Sequence, residues 1–182
     1  MIVYWMLLSV IACERVAELV VSSRHAKRLL ARGGVEYGFG HFSVMIALHV
    51  VLIVGCVAEP LAAHRTFIPA LGWTMLAVAV AMNALRWWCI GTLGSRWTAR
   101  VIVLPGAPLV RSGPYRWFGH PNYVAVAIEG FALPLTGSAW ITACAFTVLN
   151  AALLTVRIRC ETAALTTAAS SSSIISSSEA TA

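Results

Sequence analysis

Charge is what this chain has least of. Only 11% of its 182 residues are Asp, Glu, Lys or Arg, while 59% are hydrophobic and the mean hydropathy is +0.82. Ordinary soluble domains carry about 25% charged residues, so the composition points away from a soluble globular class and toward the membrane. Lysine is nearly missing: Lys27 stands alone among 13 basic residues, which reads as a composition bias rather than as chemistry. The five cysteines (Cys13, Cys56, Cys89, Cys144, Cys160) are single, with no CxxC pair, so neither a disulfide framework nor a zinc site is indicated. Each reads as a small buried hydrophobe. His41 and His49 lack further histidines at box spacing, which excludes a di-iron site, and no metal is expected. Met1-Ile-Val-Tyr-Trp5 has no basic residue, so no removable signal peptide is expected, and no internal repeat is present.

What the chain does have is apolar runs of spanning length, about 20 residues each. They cover roughly Ile2 to Val21, Phe42 to Leu61, and Ile68 to Leu93. A longer stretch from Pro121 to Val156 is broken by Leu133-Pro134-Leu135-Thr136-Gly137-Ser138, where a turn belongs, and reads as a helical hairpin. The expected fold is therefore all-α, an integral membrane bundle of about five transmembrane helices. The net charge of +6 lies between these runs, which argues against a nucleic-acid partner and for membrane lipids. Arg24, Lys27, Arg28 and Arg32 follow the first run. Arg96, Arg100, Arg111 and Arg116 follow the third, and Arg157 and Arg159 end the last, while the alternate connections hold only Arg65. By the positive-inside rule the amino terminus is outside and the carboxy terminus cytosolic. Residues 1–165 form one membrane-embedded domain. Residues 166–182, Ser-rich and poor in apolar content, are expected as a disordered tail.

Two polar clusters on the cytosolic side are candidates for chemistry. Pro105 to Tyr123 is dense in turn formers, arginines and aromatics. Ser112-Gly113-Pro114 would present Tyr115, and Pro121 suits the first turn of the next helix, leaving Asn122 and Tyr123 at its positive end. Such a seat suits a carboxylate or a nucleoside, but an interfacial belt of Tyr115, Trp117 and arginines explains it equally well. In the second cluster Arg157 and Glu161 are four apart on one helix face, which by itself is explained by a weak interfacial salt bridge. Glu14, Glu18 and Glu129 lie inside apolar runs, where carboxylates are costly and face a bundle interior, and Arg15 is placed to neutralise one of them. Of these Glu129, about 13 Å along its helix from His120, is the candidate catalytic carboxylate.

Leu109-Val110, Gly113-Pro-Tyr-Arg-Trp117, His120-Pro-Asn-Tyr123, Arg157, Glu161 and Leu165, in that order and spacing, resemble the isoprenylcysteine carboxyl methyltransferase family, which includes phospholipid N-methyltransferase relatives. The resemblance implies an S-adenosylmethionine pocket facing the cytosol and closed by the carboxy-terminal segment. It assigns cofactor contacts to Ala107, Pro108, Leu109, Val110, Tyr115, His120, Pro121, Asn122, Tyr123 and Glu161, and to Arg100, where the family's residue type differs. Arg157 matches the family's substrate-binding, catalytically required arginine. Gly119 stands where the family commonly has Arg. Glu14-Arg-Val-Ala-Glu-Leu19, Arg32-Gly-Gly-Val-Glu36 and the segment from His41 to His49 are similar to a bacterial branch, the alkylpyrone O-methyltransferases.

The resemblance thus implies methylation of an acidic oxygen, carboxylate or enol, on a lipophilic substrate, in a bacterial inner membrane. An anionic acceptor needs no strong base, so proximity, alignment and desolvation carry the reaction. Two other readings stand beside it. A sterol-type membrane reductase would need extra basic and polar residues for NADPH. A non-enzymatic scaffold or transporter subunit would leave the segment from Pro105 to Tyr123 unexplained.

Overall fold

The computed structural model describes residues 2–179, with side chains described through Thr167. Five helices dominate: α1 (Ile2–Ala31), α2 (Phe39–Ala62), α3 (Pro69–Leu93), α4 (Pro121–Thr136) and α5 (Trp140–Glu179). Among the described residues three stretches are long and apolar enough to cross a membrane: Phe39–Ala62, Pro69–Arg96 and Trp140–Thr167. α1 has the length but carries Glu14, Arg15 and Glu18 at its middle. α4 has 16 residues, about 24 Å at 1.5 Å per residue, short of a hydrocarbon core of about 30 Å. The expected Ser-rich tail falls almost entirely on residues 168–182, outside those whose side chains are described.

The all-α expectation missed one small element. β1 (Val35–Tyr37) and β2 (Val101–Val103) pair antiparallel in the register Val35↔Val103, Glu36↔Ile102, Tyr37↔Val101. β-branched residues supply the propensity on both sides, and the pairing satisfies backbone groups that no helix could. Its consequence is architectural: the α1–α2 and α3–α4 connections become one unit at one end of the bundle.

Helix ends fall where the residues require them. Pro69 and Pro121 occupy the first positions of α3 and α4, where a missing N–H costs nothing. α4 ends at Thr136 and α5 begins at Trp140, with Ser138 at φ 60° in the turn, at the Pro134–Ser138 break. The α4–α5 hairpin closes tightly because Gly130 faces the Phe146 ring, which a Cβ would overlap. Tyr4 from α1 covers Gly137 in the same way and donates its hydroxyl to the Cys56 carbonyl at 2.7 Å. Around these contacts Tyr4, Leu8, Ile11, Leu52, Cys56, Leu133 and Phe146 form an apolar core.

A second, polar layer joins α1 to α3 and α4. Arg86 donates Nε and Nη2 to the two Glu18 oxygens at 2.8 and 2.6 Å. Arg15 lies 3.2 Å from Glu18 and 3.6 Å from Glu129, and donates to Asn83 at 3.1 Å. Asn83 in turn donates to Glu14 at 2.8 Å. Charged groups this deep in a bundle persist only when paired in this way.

Gly130→Leu should lower the thermal unfolding midpoint measured in detergent, since an inserted side chain in a packed interface costs about 1–3 kcal/mol. Gly91→Ala, which meets open space, should not lower it.

Candidate functional site

The polar connections and the helix ends beside them surround a cavity of about 520 Å³, within the range of cofactor and ligand sites. One side is the loop after β2: Leu104, Ala107, Pro108, Leu109 and Val110 line it. This loop has few hydrogen bonds of its own and is braced from below, where Arg96 donates to the Pro108 carbonyl at 2.7 Å. The 3₁₀ turn Gly113–Arg116 then presents Tyr115 to the cavity. Gly113 adopts φ +54°, with the Thr92 side chain where a Cβ would stand, so both the backbone and the space favour glycine. Burial, reinforced by the neighbouring Cys89 thiol, raises the Tyr115 pKa, so its hydroxyl is neutral at any working pH.

The opposite side is built where α4 starts beside α5. Tyr123 donates its hydroxyl to Glu161 Oε2 at 2.6 Å, and His120 Nδ1 lies 3.8 Å from the same oxygen. The His120 and Tyr123 rings stack, centroids 5.4 Å apart and 17° from parallel. The Asn122 side-chain oxygen is buried without a partner. Glu161 therefore turns toward α4, and the four-residue spacing to Arg157 produces no ion pair between them.

Arg157 is the electrostatic centre of the cavity. It is 3% exposed, and no carboxylate among the described residues lies within ion-pair distance of it. Nη2 donates to the Ala99 carbonyl at 2.8 Å, the guanidinium carbon lies 5.8 Å from the Tyr123 ring centroid, and Nε has no partner. A carbonyl and a ring face stabilise a cation weakly, so a buried guanidinium in this state costs several kcal/mol until an anion joins it. The Ala99 carbonyl is itself positioned from α1. Ser22, 1% exposed, accepts the Ala99 N–H at 2.9 Å, and His25 Nδ1 meets the Trp97 carbonyl at 2.9 Å.

From Arg157 the cavity runs inward between α1, α2 and α5 along Ala12, Leu19, Ile46, Ile53, Leu153 and Leu154. Val16, Val50 and Val54 line it and are also exposed, so its wall is open to the surface between α1 and α2. Arg15, Glu18, His49, Arg86 and Asn150 lie along the same lining.

Of the residues singled out in the sequence, Ala107, Pro108, Leu109, Val110, Tyr115, His120, Asn122, Tyr123, Arg157 and Glu161 meet at this cavity. Pro121 is buried beneath it as the first residue of α4. Two stand apart. Arg100 sits on the ribbon, 3.3 Å from Glu36 and 4.9 Å from the Phe42 ring centroid, held there by its own ion pair. Glu129 faces Arg15 and lines a separate space of about 20 Å³, because two turns of α4 carry it away from His120. Sequence reasoning passed over Ser22, Arg86 and Asn150. An arginine within an apolar run was a signal for the second, and the seven-residue spacing to Arg157 for the third.

Residues 75–167 match the isoprenylcysteine carboxyl methyltransferase (ICMT) family. The uncharacterized protein YpbQ of Bacillus subtilis (strain 168) is 34% identical over 163 residues, covering 89% of this chain and 96% of that protein. An uncharacterized protein of Haemophilus influenzae is 29% identical over 154 residues, covering 83% and 88%. No solved structure matches.

Ser22→Ala would leave the buried Ala99 N–H without an acceptor, an interaction worth about 1 kcal/mol net. Amide hydrogen exchange at Ala99 should therefore accelerate roughly five- to tenfold, while exchange within α5 is unchanged; equal exchange at Ala99 in both proteins would show that Ser22 does not hold the strap.

Proposed function

The chain belongs to the isoprenylcysteine carboxyl methyltransferase family, which implies a membrane methyltransferase, and on that premise we propose that it transfers a methyl group from S-adenosylmethionine to an acidic oxygen of a lipophilic acceptor. The observation that carries the acceptor assignment is Arg157, a buried cation at a cavity with no carboxylate among the described residues paired to it. A carboxylate or enolate supplies the missing charge.

The residues present fit the cofactor. The Glu161 carboxylate suits its ammonium or ribose hydroxyls, the orphaned Asn122 oxygen accepts a further donor, and the aromatic faces of Tyr115 and Tyr123 favour a sulfonium. S-adenosylmethionine supplies an electrophilic methyl on a sulfonium sulfur. The protein's own part is positional. Arg157 holds the acceptor oxygen by a directed N–H donor, and the strap through Ala99 fixes where that donor points. The acceptor is already anionic near neutral pH, so no side chain needs to remove a proton. Apolar walls strip water from the anion, and the opening between α1 and α2 admits a lipid tail from the bilayer.

The acceptor class that best suits this cavity is a long-chain carboxylic acid or an acidic enol such as an alkyl-substituted 4-hydroxy-2-pyrone. Support comes from the apolar lining on α1 and α2 and from the resemblance of Glu14–Leu19 and His41–His49 to alkylpyrone O-methyltransferases. Our reading of the arginine distribution adds five spans, an outside amino terminus and a cytosolic site in a bacterial inner membrane, where charged S-adenosylmethionine is made. Cytosol-active reporters fused to each end should show activity at the carboxy terminus only, and activity at both would contradict five spans.

Arg157→Ala should leave binding of S-adenosylmethionine nearly intact while methyl transfer to a long-chain acid falls about a hundredfold or more, each 1.36 kcal/mol being about tenfold in rate. Arg157→Lys should recover part of it, and Arg159→Ala, about 200° around the helix, should be mild. Glu161→Ala should show the converse, a weakened cofactor affinity. Calorimetry and a labelled-methyl assay on the same preparations separate the two, and equal losses for both arginines would reduce Arg157 to a general interfacial charge.

A further inference from the structure

The cavity has a second polar end that methyl transfer does not use. Asn150 and Arg157 are seven residues apart on α5, hence on nearly one face and about 10 Å apart, with Leu153 and Leu154 lining the cavity between them. Arg15 of α1, His49 of α2 and Arg86 of α3 line the same cavity as Asn150. His49 of α2 packs edge-on against Phe146, one turn before Asn150, and lies in the field of Arg86, Arg15 and Glu18.

These groups have hydrogen-bonding capacity to spare. Arg86 is only 8% exposed, and although Nε and Nη2 bind Glu18, Nη1 is buried without a partner. Arg15 Nε is likewise buried and unpaired. His49 Nδ1 faces the Met45 carbonyl at 2.8 Å, which can only accept, so Nδ1 carries the proton and Nε2 presents a lone pair. Asn150, 2% exposed, makes no side-chain hydrogen bond to the described residues. Clamping α1 to α3 is accomplished by the bidentate pair alone and leaves Nη1, just beneath the surface of a residue that lines the cavity, uncommitted.

The charges decide what would fit. Arg15 and Arg86 are already matched by Glu14, Glu18 and Glu129, so no surplus positive charge awaits a second anion. What remains is directional donors, with an acceptor at His49, in apolar surroundings. That combination recognises a neutral oxygen.

We propose that the inner end of the cavity, Arg86, Arg15, His49 and Asn150, is a second recognition site for a neutral oxygen, carbonyl or hydroxyl, carried on the acceptor's chain about 10 Å from the oxygen held at Arg157. The identity of that first oxygen rests on the methyl-transfer reading; the inner site itself does not. It makes the enzyme selective for oxygenated long chains over plain hydrocarbon ones.

The test compares hexadecanoic acid with 9-oxohexadecanoic acid, whose keto group stands at the matching distance when extended. Binding of each to the full-length protein in detergent is measured by calorimetry, without S-adenosylmethionine. The keto acid should bind about tenfold more tightly, and Asn150→Leu or His49→Phe should each bring the two affinities together. Equal affinities in the parent protein overturn the proposal without recourse to any variant, as does a preference that survives both substitutions. Labelled methyl transfer, read in parallel, separates the two ideas. Transfer to both acids with equal affinities removes the inner site and keeps the methyltransferase reading. A keto preference with no transfer to either acid keeps the site and removes that reading for long-chain acids.

Discussion

The bidentate pair between Arg86 and Glu18 is the contact from which the working end of this bundle is built. It is buried, it spans α1 and α3, and losing one partner would strand a charge at a cost of about 3–5 kcal/mol. Because α1 is held at Glu18, Ser22 one turn later reaches the Ala99 N–H. Because Ala99 is held, its carbonyl receives Arg157. Three links thus run from an ion pair in the bundle to the guanidinium at the cavity. Arg15 extends the same layer to Glu129 on α4, which begins at the cavity with His120, Asn122 and Tyr123.

Above this layer the ribbon of β1 and β2 does a different job. Two connections that leave the bundle at the same end would otherwise be independent loops. Their pairing and the Glu36–Arg100 ion pair turn them into one cover. Arg100 is thereby spent on the cover, which is why it lies away from the cavity despite its place between Trp97 and Ala107. The pair is part-buried, Glu36 more deeply than Arg100, and its effect is to fix the geometry of the cover.

The cavity unites two solvents. Its outer end is polar and built from a loop, a 3₁₀ turn and two helix ends; its middle run is apolar and open to the surface between α1 and α2. In the reaction we propose, a charged cofactor and a lipophilic acceptor have no common phase, and such a boundary is where they can meet. Arg157 sits there, with Tyr123 between it and Glu161.

Much of this was legible in the residues. The segment from Pro105 to Tyr123 declared itself because turn formers, arginines and aromatics are out of place between apolar runs. Pro121 and the Pro134–Ser138 break marked helix ends through local backbone rules that hold in any context. Glu129 was legible as a buried carboxylate, but a linear sequence cannot say that the cation it faces is Arg15. Arg86, an arginine within an apolar run, and Asn150, seven residues before Arg157, carried only weak signals, because their neighbours too were decided by packing.

What the sequence determined by itself, then, was local: apolar runs of membrane length, where helices end, and which short segment carries the polar chemistry. These follow from hydropathy and backbone sterics within a few residues. Only the tertiary structure decided partners. It paired β1 with β2 across some 65 residues, turned Glu161 toward Tyr123 and away from Arg157, and left that arginine without a carboxylate partner among the described residues. Pairing energies depend on which side chains are brought together and on the water excluded around them, and both exist only once the helices have packed.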